Sequence, residues 1–197
     1  PVPQVLRLHE RVTGFQAMVQ KGQFLERPTL IPVGDLVMEG VSHRGKLRPI
    51  LVVLPPTPEE GGGMDHVLGA ELAWAATRAG HPTLRFNYRG VGGSQGARSF
   101  GVALLEDARA ALEVALGNAS STAAVVASIG GSASVALALA GADAAKLGGL
   151  VLVAPVGVTA AEVASTRLPC LTVVGELDTR FDRAALTRLH TSGESSL

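Results

Sequence analysis

From Val33 onward, short β-rich runs alternate with alanine-rich helical runs, and few folds accommodate that alternation. A strand is expected over Asp35 to Glu39. Ile50-Leu-Val-Val-Leu54 is apolar throughout, as a strand covered on both faces must be. A helix over about 65 to 79 carries Leu68, Leu72 and Ala75 on one face. Strand Thr83 to Tyr88 then leads into a glycine-rich loop, Gly90 to Gly96. Helix 102 to 116, strand Ala123 to Ala127, helix 131 to 141 and strand Leu150 to Ala154 continue the alternation. A short helix near 159 to 166, strand Cys170 to Gly175 and a helix over 182 to 190 complete it. Strands joined through helices run parallel with right-handed crossovers. The expected fold is therefore α/β, a mostly parallel sheet with helices on both faces.

The bulk numbers narrow the function classes. Lys plus Arg and Asp plus Glu both total 17 in 197 residues, so there is no basic footprint for nucleic acid or an anionic membrane. The longest near-apolar stretch, 135 to 150, is broken by Asp143 and Lys146 and is too short to span a bilayer. Cys170 is the only cysteine, which fits a reducing compartment, and a cytoplasmic location is the expectation. Residues 1 to 27 differ from the rest. Val5, Leu8, Val12, Phe15 and Val19 recur at steps of three and four, the stripe of an N-terminal helical extension. That helix packs on its own domain or forms the contact of a homodimer. A single domain is expected over 1–197, with its α/β core in 33–190.

The most informative stretch is Ala123-Ala-Val-Val-Ala-Ser128-Ile-Gly-Gly-Ser-Ala-Ser134. A buried strand runs into Ser128, and a small-residue helix follows. Such a turn can present a serine nucleophile, with backbone N–H groups of the helix N-terminus aimed at a developing oxyanion. Ser128 is the expected nucleophile. Two other readings stay open: Ser132, in the frame Gly130-Gly-Ser-Ala-Ser134, and a serine that only caps the helix. After the strand Ile50 to Leu54 comes Pro55-Pro-Thr57-Pro58, where only Thr57 has an N–H to donate. The N–H groups of Thr57 and Ile129 are the expected oxyanion hole. Asp178 follows strand Cys170 to Gly175, on the rim where the elbow lies, and can orient a base; Glu176 is the weaker candidate. The glycine loop at 90 to 96 lacks the spacing of a phosphate-binding turn, because Gln95 stands where glycine is required. Nothing calls for a metal or another cofactor.

Together these pieces resemble the α/β-hydrolase superfamily, and in particular its small single-domain bacterial members of the esterase-like and dienelactone-hydrolase-like kind. The resemblance is carried by Arg85-Phe-Asn-Tyr-Arg-Gly-Val-Gly-Gly-Ser-Gln-Gly96, Gly61-Gly-Gly-Met-Asp65, Ser128-Ile-Gly-Gly131 and Val173-Val-Gly-Glu-Leu-Asp178. It covers roughly residues 33 to 190. It implies a serine hydrolase acting on a small ester or acyl substrate. The sequence departs from the family pattern at Pro55 and Thr57, where histidines are usual, and at Val126, two before Ser128, where glycine is usual. The family's catalytic His follows a further strand after the acid. The segment from Asp178 to Leu197 is too short for that strand, so the expected fold lacks it and the expected site lacks that His. Among His9, His43, His66, His81 and His190, only His66 lies beside the expected oxyanion loop. The alternative function is a non-catalytic descendant of the fold that binds a ligand or partner.

Overall fold

A computed structural model describes residues 25–187. Seven strands form one sheet: β1 Arg27–Val33, β2 Leu36–His43, β3 Ile50–Leu54, β4 Thr83–Phe86, β5 Ala124–Ile129, β6 Leu147–Val153 and β7 Cys170–Val173, in the spatial order β1-β2-β4-β3-β5-β6-β7. β1 and β2 form an antiparallel hairpin, β2 pairs antiparallel with β4, and every other pairing is parallel. The helices that lie wholly within the described residues are α1 Val67–Arg78, α2 Val102–Ala119, α3 Ser132–Ala142 and α4 Ala160–Ser165, and residues 183–187 are helical as well. Among the described residues no helix is long and apolar enough to cross a membrane.

The period of two along each central strand divides the core. Val52, Leu54, Val126, Leu150 and Leu152 face the larger cluster, which includes Leu112 of α2, Leu139 of α3 and Val163 of α4. Val53, Ala127 and Ile129 face the other side and pack on Ala73 of α1. Helices thus cover both faces of a mostly parallel sheet, the fold expected from the alternation.

Two boundaries differ in ways that matter. The sheet begins at Arg27, ahead of the expected Val33. Pro28 and Pro32 weaken a strand signal, yet both are tolerated because β1 is an edge strand. The Gly34-Asp35 pair, with Gly34 at φ +57, closes the hairpin to β2. The apolar stripe from Val5 to Val19 and the dimer contact drawn from it lie outside the described residues. Strand β5 is longer than expected and runs through Ser128 to Ile129, because Leu54 of β3 and Leu152 and Val153 of β6 supply partners for both residues.

The Arg85–Gly96 motif acts as a set of internal struts. Arg85 donates to Met64 O and to the Glu26 carboxylate, and Asn87 spans from Met64 N–H to Glu39. Arg89 binds the fully buried Asp107 of α2 through its backbone N–H and its guanidinium. Gln95 exchanges hydrogen bonds with the Val37 backbone, tying the glycine loop to β2.

Candidate functional site

Two loops meet at the carboxyl rim of the sheet. The first leaves β3 as Pro55-Pro-Thr57 and turns through one 3-10 turn, Pro58–Glu60, into Gly61 at φ +69. Thr57 caps the turn, and the Glu60 carboxylate reaches back to the Thr57 N–H at 3.0 Å and its hydroxyl at 3.2 Å. The loop is closely packed: a Cβ on Gly62 would lie 2.1 Å from Pro56 O.

The second loop is the elbow between β5 and α3. The residue in the left-handed region is Gly130, at φ +60, and its N–H donates to Val153 O at 3.0 Å. Gly131 follows in helical geometry, and α3 starts at Ser132. The Gly131 N–H donates to Glu60 Oε2 at 2.9 Å. One carboxylate oxygen therefore receives the N–H of Thr57, the hydroxyl of Thr57 and the N–H of Gly131. These are two backbone donors from separate loops at the N-terminus of an 11-residue helix, where negative charge is favoured.

Below this cradle the same loops are strapped together again. Ser132 Oγ donates to Pro55 O at 2.5 Å and lies 3.1 Å from the Tyr88 hydroxyl. Burial pushes the Tyr88 phenol well above its ordinary pKa, so it stays protonated and able to donate.

The structure places the expected site residues as follows. Thr57 is at the cradle, and its N–H points to the shared acceptor. The N–H that joins it belongs to Gly131, not to Ile129; Ile129 is still inside β5, in register with Val153. Ser128 is not at the turn. It lies within β5, 0% exposed, and its Oγ has no hydrogen-bond partner. No imidazole of the described residues reaches it: His43 bonds Thr83 and His81 bonds Pro49 O, while His66 Nδ1 is buried without a partner. His9 and His190 lie outside the described residues. Ser132, the other open reading, is also 0% exposed and is committed to the strap. Asp178 follows β7 and binds Arg180 through both carboxylate oxygens, at 2.9 and 2.7 Å. That pair holds the Asp178 carboxyl down at about 2. The Asp178 carboxylate, and to a lesser degree the charge of Glu60, favour the protonated form of Arg180. No cluster of three or more His, Cys, Asp or Glu side chains suited to a metal occurs among the described residues.

Two residues at the centre of this arrangement, Gly130 and Glu60, were not among the expected site residues. Where a nucleophile elbow has Gly-x-Ser-x-Gly, the backbone here aligns Ser128-Ile-Gly130-Gly-Ser132, with glycine and serine exchanged. The signal was the Gly130-Gly131 pair, since glycine is the residue that adopts positive φ without cost. In this frame the residue two before the turn is the small Ser128, and Val126 packs in the core of the sheet.

No protein-family model matches this chain, and no curated protein does. Solved structures do. A protein of unknown function from Agrobacterium tumefaciens, assigned to the α/β hydrolases, superposes with a TM-score of 0.72 at 25% identity, covering 87% of this chain and 80% of the other. An α/β serine hydrolase homologue from Coxiella burnetii gives 0.71 at 28% identity, over 84% and 81%. A lid-less α/β serine hydrolase from Xanthomonas campestris gives 0.67 at 23% identity, over 86% and 79%.

Proposed function

For this chain, a member of the α/β-hydrolase superfamily, we propose that the elbow binds a ligand and does not carry out serine acyl transfer. The observation that carries the proposal is the Glu60 carboxylate on the N–H groups of Thr57 and Gly131, beside a glycine at the turn. Acyl transfer needs a hydroxyl exposed at the turn and a vacant pair of donors for the oxyanion. Gly130 has no side chain, and the donor pair already holds a negative charge. Ser128 is two residues back, fully buried in β5, and none of the described residues hydrogen-bonds its hydroxyl to take its proton.

The second reading is hydrolysis of a small ester through Ser128, with Asp178 in support. It draws on the serine-hydrolase neighbours at 28% and 23% identity. For it to operate, β5 must release Ser128 from its pairing with Leu54 and Leu152. Steady-state hydrolysis of short-chain p-nitrophenyl esters separates the two. The binding reading expects wild type and Ser128→Ala to match the uncatalysed rate. Turnover that disappears in Ser128→Ala would establish the hydrolase.

A further inference from the structure

A cavity of about 800 Å³ lies at the amino rim of the sheet, where β3 and β4 begin, at the opposite end of the strands from the elbow. That volume falls in the range of roughly 300–1,000 Å³ that small-molecule sites occupy. Ile50 and Leu84 of the sheet and Val114 of α2 give it an apolar floor. Arg27 of β1 and Arg44 and Arg48 of the loop between β2 and β3 border it, and no Asp or Glu is among the described residues that line it. None of these three arginines pairs with a carboxylate among the described residues. Glu26, next to Arg27 in sequence, is taken by Arg85 at 2.5 Å. Arg48 donates to the carbonyl of its own neighbour Leu47. Arg27 is half-buried, and its Nε is shut off from solvent without a hydrogen-bond partner. The last turn of α2 borders the same cavity, and a helix C-terminus attracts cations. Yet no arginine hydrogen bond to it occurs among the described residues, and the Leu116 and Gly117 carbonyls take the N–H groups of Ser121 and Ser120.

We propose that this cavity binds a small phosphate ester, with the phosphate among Arg27, Arg44 and Arg48 and an apolar organic part on Ile50, Leu84 and Val114. Three guanidinium groups without counter-ions exceed what one carboxylate offsets. A phosphate ester brings close to two negative charges and three acceptor oxygens, which guanidinium groups bind in paired fashion. A half-buried guanidinium with an unmet donor is a costly state. A bound phosphate relieves it, by offsetting the charge and, after a rotation of the Arg27 side chain, by accepting the Nε–H. The loop that carries the other two arginines is held in place beforehand. Its Leu47 N–H donates to Gly80 O at 3.0 Å, and the His81 ring bonds Pro49 O at 2.8 Å. A Cβ on Gly45 would lie 2.2 Å from Pro82 N, so the loop is pressed onto the turn before β4. None of these residues takes part in the elbow, and the site is independent of what the elbow does.

The test is a ¹H–¹⁵N chemical-shift titration of the full-length protein with phenyl phosphate, inorganic phosphate and benzoate, at ionic strength matched with sodium chloride. Phenyl phosphate is expected to shift the Arg27 Nε–H signal and the amides of Ser42 to Gly45 saturably. Its Kd should lie several-fold below that of inorganic phosphate, which lacks the apolar part, and below that of benzoate, which lacks the second charge. Arg27→Gln should raise the Kd for phenyl phosphate at least about tenfold, the loss expected for a hydrogen bond to a charged group. The double variant Arg44→Gln/Arg48→Gln, at two exposed positions, should raise it several-fold and serves if Arg27→Gln does not fold. Lys46→Gln, on the same loop but outside the cavity lining, should leave it unchanged. Absence of saturable shifts would overturn the site, as would a Kd unmoved by the arginine variants or raised equally by Lys46→Gln. Benzoate or inorganic phosphate binding as tightly as phenyl phosphate would overturn the ligand class.

Discussion

At position 130 any side chain meets two obstacles. The backbone there is in the left-handed region, which costs a non-glycine residue roughly 1–2 kcal/mol. A Cβ would also press on the Glu60 carboxylate. Gly130→Ala is therefore expected to lose at least about 1–2 kcal/mol in urea unfolding, and part of the loss should return in Gly130→Ala/Glu60→Ala, where the contact is gone. The two buried serines should behave oppositely. Ser128 Oγ has no partner, so Ser128→Ala is expected to be neutral or stabilising within about 1 kcal/mol. Ser132 Oγ holds Pro55 O and meets the Tyr88 hydroxyl, so Ser132→Ala leaves buried groups unsatisfied and should cost about 1–3 kcal/mol. Asp178 gives a pH signature. Its folded pKa lies below the ordinary carboxylate value of about 3.9, so the Arg180 pair contributes fully above that value and is lost as pH falls through about 2. A carboxyl ¹³C titration should find that low midpoint in wild type and a return toward about 3.9 in Arg180→Gln.

At the scale of elements, the motif from Arg85 to Gly96 joins strands to helices, and its strongest joint is Arg89 on Asp107. Asp107 is fully buried at the α2 face, and breaking one side of a buried ion pair costs about 3–5 kcal/mol. Asp107→Asn is expected to approach that loss, read from the denaturation midpoint at unchanged slope. The central strands were legible because runs such as Ile50 to Leu54 have the apolar continuity of doubly covered strands. β1 was not, because its two prolines obscure a strand that only an edge position permits. The end of β5 was not legible either. Ser128 and Ile129 carry no local signal for strand over turn, and their pairing is set by β3 and β6, distant in sequence. That shift of two residues puts the left-handed turn at Gly130 and leaves Ser128 inside β5.

In the whole molecule the two layers of the core are unequal. α2, α3 and α4 cover a large cluster, whereas α1 closes a small one whose buried members are Val53, Ala73, Ala127 and Ile129. Amides of α1 are expected to exchange with solvent before those of β5 and α3, since local opening follows the number of apolar contacts broken. The sheet was visible in the order of runs along the chain. The chemistry of its rim was only half visible, because a carboxylate three residues from Thr57 reads in sequence as a helix cap. Only the fold shows that the same oxygen also takes the Gly131 N–H. The central claim, an elbow built to bind and not to acylate, is tested most directly by incubating the full-length protein with a fluorophosphonate and mapping the adduct by intact and peptide mass. The account predicts unmodified protein with Ser128 unlabelled. A stoichiometric adduct on Ser128 would contradict it.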